Sequence, residues 1–204
     1  PSRLVGSEMC IRDSSTIEAV DLAGNFIDRG PVFLDKQKDE EPQLMKDLHR
    51  GTAYNGPLIV LVNEYSASAS EIIAAALQDY NRAVIVGSPT FGKATAQVVI
   101  PLKKGADYKK PGYNSANSPN GYVKVTIGKI YNITGTSHQQ TGVIPDVQIF
   151  ENGDTKKRGE ARLKYSLAPD TIVKKVYYTP YQKLPLKELK DKSEARISAN
   201  ETMK

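Results

Sequence analysis

The chain has 204 residues, 39% of them hydrophobic and 25% charged, which suits one globular domain with a real core, extended at most by a fraction of another. Its net charge of +5 comes from 28 basic and 23 acidic side chains; the excess is spread out, mostly after residue 100, and lacks the clustered basic stripe with interleaved aromatics that nucleic-acid binding requires. The longest apolar run, residues 57–62, is far short of the ~18–20 residues of a membrane-spanning helix, the lone Cys10 rules out a disulfide framework or cysteine zinc site, and two histidines, His49 and His138, argue against a multi-His metal centre.

Residues 1–14 have no period of two or 3.6, and the chain begins without Met. They are expected to be a non-native or disordered leader on a fragment. From Ser15 the pattern is coherent. Ser15 or Thr16 caps a helix with Glu18 in its first turn, Ile17, Val20, Leu22 and Phe26 on its apolar face, and Gly30-Pro31 as its stop. Val32–Leu34 reads as a short strand, and Asp35–Asn55 as a surface loop or hairpin. The continuous apolar run Leu58–Val62 reads as a strand buried on both faces. Glu71–Tyr80 carries Ile72, Ile73, Ala76 and Leu77 at helical spacing, and Ala83–Val86 is a second buried strand. A Gly/Pro loop over 87–92 leads to a strand at Thr95–Leu102. This order, strand–helix–strand–loop–strand, is an α/β core.

Asp107–Gly121 is rich in Asn, Ser, Pro and Gly and reads as an exposed loop. Tyr122–Ile127 alternates as a strand, Lys129–Ile133 reads as another, and Gly142–Ile149 is extended. Glu151–Glu160 is a polar linker, and the Lys-rich remainder has weak helical character.

Two stretches bear chemistry. Gly87-Ser-Pro-Thr-Phe-Gly-Lys93 is one residue short of a phosphate-binding P-loop. Ala94 stands where a hydroxyl must ligate magnesium, and a strand follows where a P-loop must open a helix, and both features argue against nucleotide binding. Ser66-Ala-Ser-Ala-Ser70 lies between a buried strand and a helix. Serine there is a good helix cap. It is also where a nucleophile is exposed beside backbone N–H groups that stabilise an oxyanion. Neither histidine has a context suggesting a base, since His49 lies in a charged loop and His138 in a polar turn. A lysine can serve if burial lowers its pKa from ~10.4 towards 7–8. Lys93 sits among Phe91, Gly92, Ala94 and Ala96 with no carboxylate beside it in sequence.

The segments Val62–Ile72, Ala75–Gly87 and Thr90–Gln97 resemble the C-terminal processing peptidases, or tail-specific proteases. That family has a serine nucleophile, a lysine 25 residues later and a glutamine four beyond it, and those positions hold Ser68, Lys93 and Gln97. Gly135–Val147 is similar to a later family segment, and Gly159-Glu160 with Ser166–Ile172 to the tail-specific subgroup. The resemblance implies that Ser68 attacks the scissile carbonyl, Lys93 moves the proton, Gln97 orients Lys93, and the Ala69 backbone N–H stabilises the oxyanion. It implies a crotonase- or ClpP-like α/β spiral of strand–strand–helix units, truncated at its N-terminus. On this expectation 15–150 is part of the catalytic domain and 151–204 a basic extension of the tail-specific subgroup.

It further implies a bacterial periplasmic or cell-envelope serine endopeptidase, needing no metal or cofactor, that cleaves proteins with apolar C-terminal tails. The alternative is an inactive binding or scaffold protein on the same fold. Three departures from the family pattern stand out. Ala94 replaces the usual Gly after the lysine. Asp13-Ser14-Ser15 replaces a Gly-rich turn that would give the second oxyanion donor. The family's PDZ module and secretory signal are not found in this sequence.

Overall fold

The computed structural model describes residues 15–102, 121–149, 159–173 and 176–200. The leader expected at 1–14, most of the loop expected at 107–121 and most of the linker expected at 151–160 lie outside the described residues.

Helix α1 (Thr16–Gly24) is capped by Ser15, whose side chain accepts from the Ile17 N–H at 3.2 Å. Its buried face is Ala19, Val20 and Ala23, while Ile17 points outward. That face differs from the expected one because α1 packs on the Ala-rich helix α2 (Ala69–Asp79), where small side chains let two helices approach. Strand β1 (Gly30–Gln37) pairs antiparallel with β2 (Gln43–Asp47), so the stretch after Asp35 is a hairpin.

Strands β3 (Ile59–Val62), β4 (Val84–Gly87) and β7 (Val147–Gln148) form a parallel sheet in the order β3-β4-β7. Helix α2 is the crossover between β3 and β4, since parallel neighbours need one. Strand β3 is not buried on both faces. Leu58 and Val60 pack toward the core, whereas Ile59 and Leu61 are 64% and 66% exposed. A run of five apolar residues reports hydrophobicity, not which face a helix covers.

Strands β5 (Thr95–Pro101) and β6 (Tyr122–Tyr131) complete an antiparallel sheet in the order β2-β1-β6-β5. The two strands expected at 122–127 and 129–133 are one, running through Gly128. Any Cβ there would crowd the Lys36 carbonyl of β1, so the glycine permits close pairing rather than ending the strand. One core joins both sheets and both helices through residues such as Ala19, Val32, Ile72, Leu77, Ile85 and Ile130. After a short 3-10 turn at Gly159–Arg162, helix α3 (Leu186–Ala199) packs beside β7. Among the described residues no helix is long and apolar enough to cross a membrane. The result is a mixed α/β fold.

Candidate functional site

Strand β3 ends at Val62, and a tight turn carries the chain into α2. The Asn63 side chain accepts from the Tyr65 N–H at 2.9 Å, and the Ser66 hydroxyl accepts from the Asn63 N–H at 3.1 Å. Ser68 follows as the residue that caps α2, with φ 60° and ψ −115°. A positive φ at serine, away from the left-handed helical basin, costs energy that the surroundings must offset. A strained strand-to-helix corner is the geometry that lifts a nucleophilic hydroxyl off a sheet. Ala69 is the first residue of α2, so its N–H has no partner within the helix.

The strain is held by Glu71, which is fully buried. Its Oε2 accepts from the Ser68 N–H at 2.8 Å and from the Lys93 N–H at 2.9 Å. Its Oε1 accepts from the Gly92 N–H at 2.6 Å and from the Thr90 hydroxyl. One oxygen thus joins the backbone of Ser68 to that of Lys93, residues 25 apart in sequence. The segment holding Lys93 is not a helix, because each backbone N–H from Thr90 to Ala94 is used elsewhere. They donate to Val143 O, Ser66 O, Glu71 twice and Gln139 Oε1. That accounting excludes a P-loop, whose amides must face phosphate.

Lys93 is half-buried, and its Nζ donates to the Thr95 carbonyl at 3.0 Å. Either protonation state of the amine can make that bond, and in the neutral form the nitrogen lone pair remains an acceptor. Ala94 is buried in β-side packing where the family usually has Gly, and it is not among the residues with positive φ. The alanine is therefore unstrained. Gln97 lies in β5 just past a bulge, exposed, with its Nε2 3.3 Å from Thr126 Oγ1 across the strand pair. The structure thus brings Ser68, Ala69 and Lys93 around Glu71 and puts the Gln97 amide on Thr126.

His138 is 4% exposed rather than set in an open turn. Its Nδ1 is 3.3 Å from Asn132 Oδ1, and its Nε2 is buried without a hydrogen-bond partner. Burial pushes the imidazole below its usual pKa, opposed in part by the Glu71 carboxylate. His49 lies at the protein surface, its Nδ1 2.9 Å from Asp47 Oδ1 beside a cavity of about 420 Å³. Among the described residues no three His, Cys, Asp or Glu side chains converge as a metal site.

Sequence reading missed Glu71, Thr90 and Gln139. Glu71 had a signal, because Ser68-Ala-Ser-Glu71 has the spacing of a helix capping box. Gln139 had none, since its partner Ala94 is 45 residues away.

Residues 15–149 match the model of peptidase family S41. The chain is 40% identical over 155 residues to a tail-specific protease of Haemophilus influenzae, covering 76% of this chain and 21% of that protein. It is 32% identical over 143 residues to a carboxy-terminal-processing protease of Bartonella bacilliformis, covering 70% and 30%. The chain therefore spans under a third of the length of these relatives. Among solved structures it is similar to a photosystem II D1 C-terminal processing protease, with a TM-score of 0.50 and 31% identity over 66% of this chain and 31% of that one. Taken with the strained serine turn and the lysine loop tied to it, these matches give one conclusion: the chain belongs to peptidase family S41.

Proposed function

We propose that this chain carries the catalytic serine and lysine of a bacterial periplasmic or cell-envelope endopeptidase. Its substrates are proteins with apolar C-terminal tails. The fold is part of a crotonase- or ClpP-like spiral, with residues 15–150 in the catalytic domain and 151–204 a basic extension. The observation that carries the reading is the single Glu71 oxygen accepting from the backbone of both Ser68 and Lys93, at 2.8 and 2.9 Å. It holds a strained serine beside a half-buried lysine.

In this mechanism the Ser68 hydroxyl attacks the scissile carbonyl carbon and its proton passes to the neutral Lys93 amine. The tetrahedral oxyanion is stabilised by the Ala69 N–H at the positive end of α2. Collapse breaks the C–N bond, and Lys93 returns the proton to the leaving amine. Water, deprotonated by Lys93, then attacks the acyl carbon, and as the ester C–O bond breaks Lys93 returns that proton to Ser68 Oγ. Gln97, four residues beyond Lys93, is the residue assigned to orient the amine.

The test is turnover of an unstructured protein with an apolar C-terminal tail. Ser68→Ala and Lys93→Ala should each lower kcat by about 10⁴-fold or more. Ser68→Ala with undiminished turnover overturns the reading. If the chain is silent while a variant with Gly-Gly replacing Asp13-Ser14 is active, the loss lies in the second oxyanion donor. Silence in both favours a binding or scaffold role.

A further inference from the structure

The segment after Gly159 is bound to the lysine loop, not merely draped over the surface. Its Glu160 N–H donates to the Phe91 carbonyl at 2.8 Å. A Cβ on Gly159, whose φ is +55°, would collide with that same carbonyl. The segment is fixed farther along as well. Lys129 bridges Asp170 at 3.0 Å and donates to the Ala168 carbonyl at 2.8 Å, and Gln140 Nε2 donates to Ser166 Oγ at 2.6 Å.

Between this segment and the loop lies Gln139, fully buried. Its Oε1 accepts from the Ala94 N–H at 2.8 Å, and its Nε2 faces Glu160 Oε1 at 3.3 Å. The two ends of a primary amide are nearly equal in shape and opposite in hydrogen bonding. Rotated by half a turn, Gln139 would set an N–H against the Ala94 N–H and an oxygen against the Glu160 carboxylate. Glu160 therefore selects the one orientation that accepts from Ala94. Lys93 is thereby held on both sides, by Glu71 at its own N–H and by Gln139 at the next.

We propose that Gln139, oriented by Glu160, is a positioning residue that fixes the backbone of Lys93, so that the 159–172 segment is part of the catalytic machinery. The proposal rests on Lys93 acting as the base. A base displaced by ~1 Å costs about 100-fold in rate, and it is the Gln139 side chain that accepts from the Ala94 N–H.

The test uses the full chain with Gln139→Leu, Gln139→Glu and the double variant Gln139→Glu/Glu160→Gln. Each is measured for kcat, KM, pH profile and Tm, with Ser68→Ala alongside. Gln139→Leu should lower kcat by about 100-fold with KM little changed. It should also shift the acidic limb of the kcat profile, which reports the base. Gln139→Glu sets two buried carboxyls in contact, so it should work only while they share a proton and lose turnover as pH rises. The double variant restores donor to acceptor in mirror image and should recover most of the rate and the original profile.

A fall in Tm with unchanged kcat and acidic limb in Gln139→Leu would reduce Gln139 to a core residue and overturn the proposal. So would a folded double variant that fails to recover. If turnover does not depend on Ser68, the Ser–Lys reading is what has failed. The local claim is then judged on hydrogen exchange of the Ala94 amide. Exchange should quicken about tenfold or more in Gln139→Leu and slow again in the double variant; unchanged exchange overturns it.

Discussion

Ser68 and Glu71 are three residues apart, yet their roles were unequally visible. Ser68 stands out by its spacing to Lys93, while Glu71 looks like an ordinary acid in the first turn of a helix. Its buried carboxylate matters because four donors from two distant segments end on it. Asp79, at the far end of the same helix, is the opposite case. Burial pushes its carboxyl up to about 7, and one of its oxygens has no hydrogen-bond partner. Its folded pKa exceeds its unfolded value of 3.8, so its contribution is fully present below pH 3.8 and is lost as pH rises through about 7. Asp79→Asn should therefore leave Tm unchanged near pH 4 and raise it at pH 8. The gain is bounded by about 4 kcal/mol at 1.36 kcal/mol per unit. A Tm difference that does not grow across this range would contradict the assignment.

At the scale of elements, most helices and strands were legible, and the errors share one cause. The apolar runs at 58–62 and 83–86 contain the cores of β3 (Ile59–Val62) and β4 (Val84–Gly87), and the alternation from 122 is a strand. What periodicity left open was which face is covered, as at Ile59 and Leu61, and whether Gly128 ends a strand or serves it. Gly87 shows the second kind of role. It ends β4 with φ +134°, and any Cβ would overlap the Val62 carbonyl at the neighbouring end of β3. This contact pins the start of the serine turn to the start of the lysine loop. Gly87→Ala should destabilise the fold by about 3 kcal/mol, and urea unfolding should show it. A loss below about 1 kcal/mol would mean that the two strand ends separate readily.

Across the whole molecule, segments far apart in sequence are tied by a few buried polar groups. Arg82 is the clearest. Its guanidinium donates to the Phe26, Gly56 and Tyr54 carbonyls at 2.8, 3.0 and 2.7 Å, between the rings of Tyr54 and Tyr181. Tyr181 in turn donates its N–H to the Tyr80 carbonyl at 2.8 Å and accepts from the Asp28 N–H at its hydroxyl. Arg82→Met keeps the stem and removes the donors, so it should cost about 3 kcal/mol. It should also make the chain near Tyr181 more sensitive to limited proteolysis. Unchanged protection there would separate Arg82 from the docking of the C-terminal segment.

The sequence by itself determined the α/β class, the order of the central elements and the candidates Ser68, Lys93, Gln97 and Ala69. The class and the order rest on local period and turn chemistry, which the chain carries without folding, and the four candidates rest on its resemblance to the C-terminal processing peptidases at fixed spacing. The tertiary structure alone decided that one buried carboxylate of Glu71 bridges the two loops, that Gln97 meets Thr126, and that Gln139 and Glu160 reach Ala94. Those are contacts between residues as much as 45 positions apart. Their partners are chosen by the packing of helix, loop and sheet, and no pattern along the sequence records that choice.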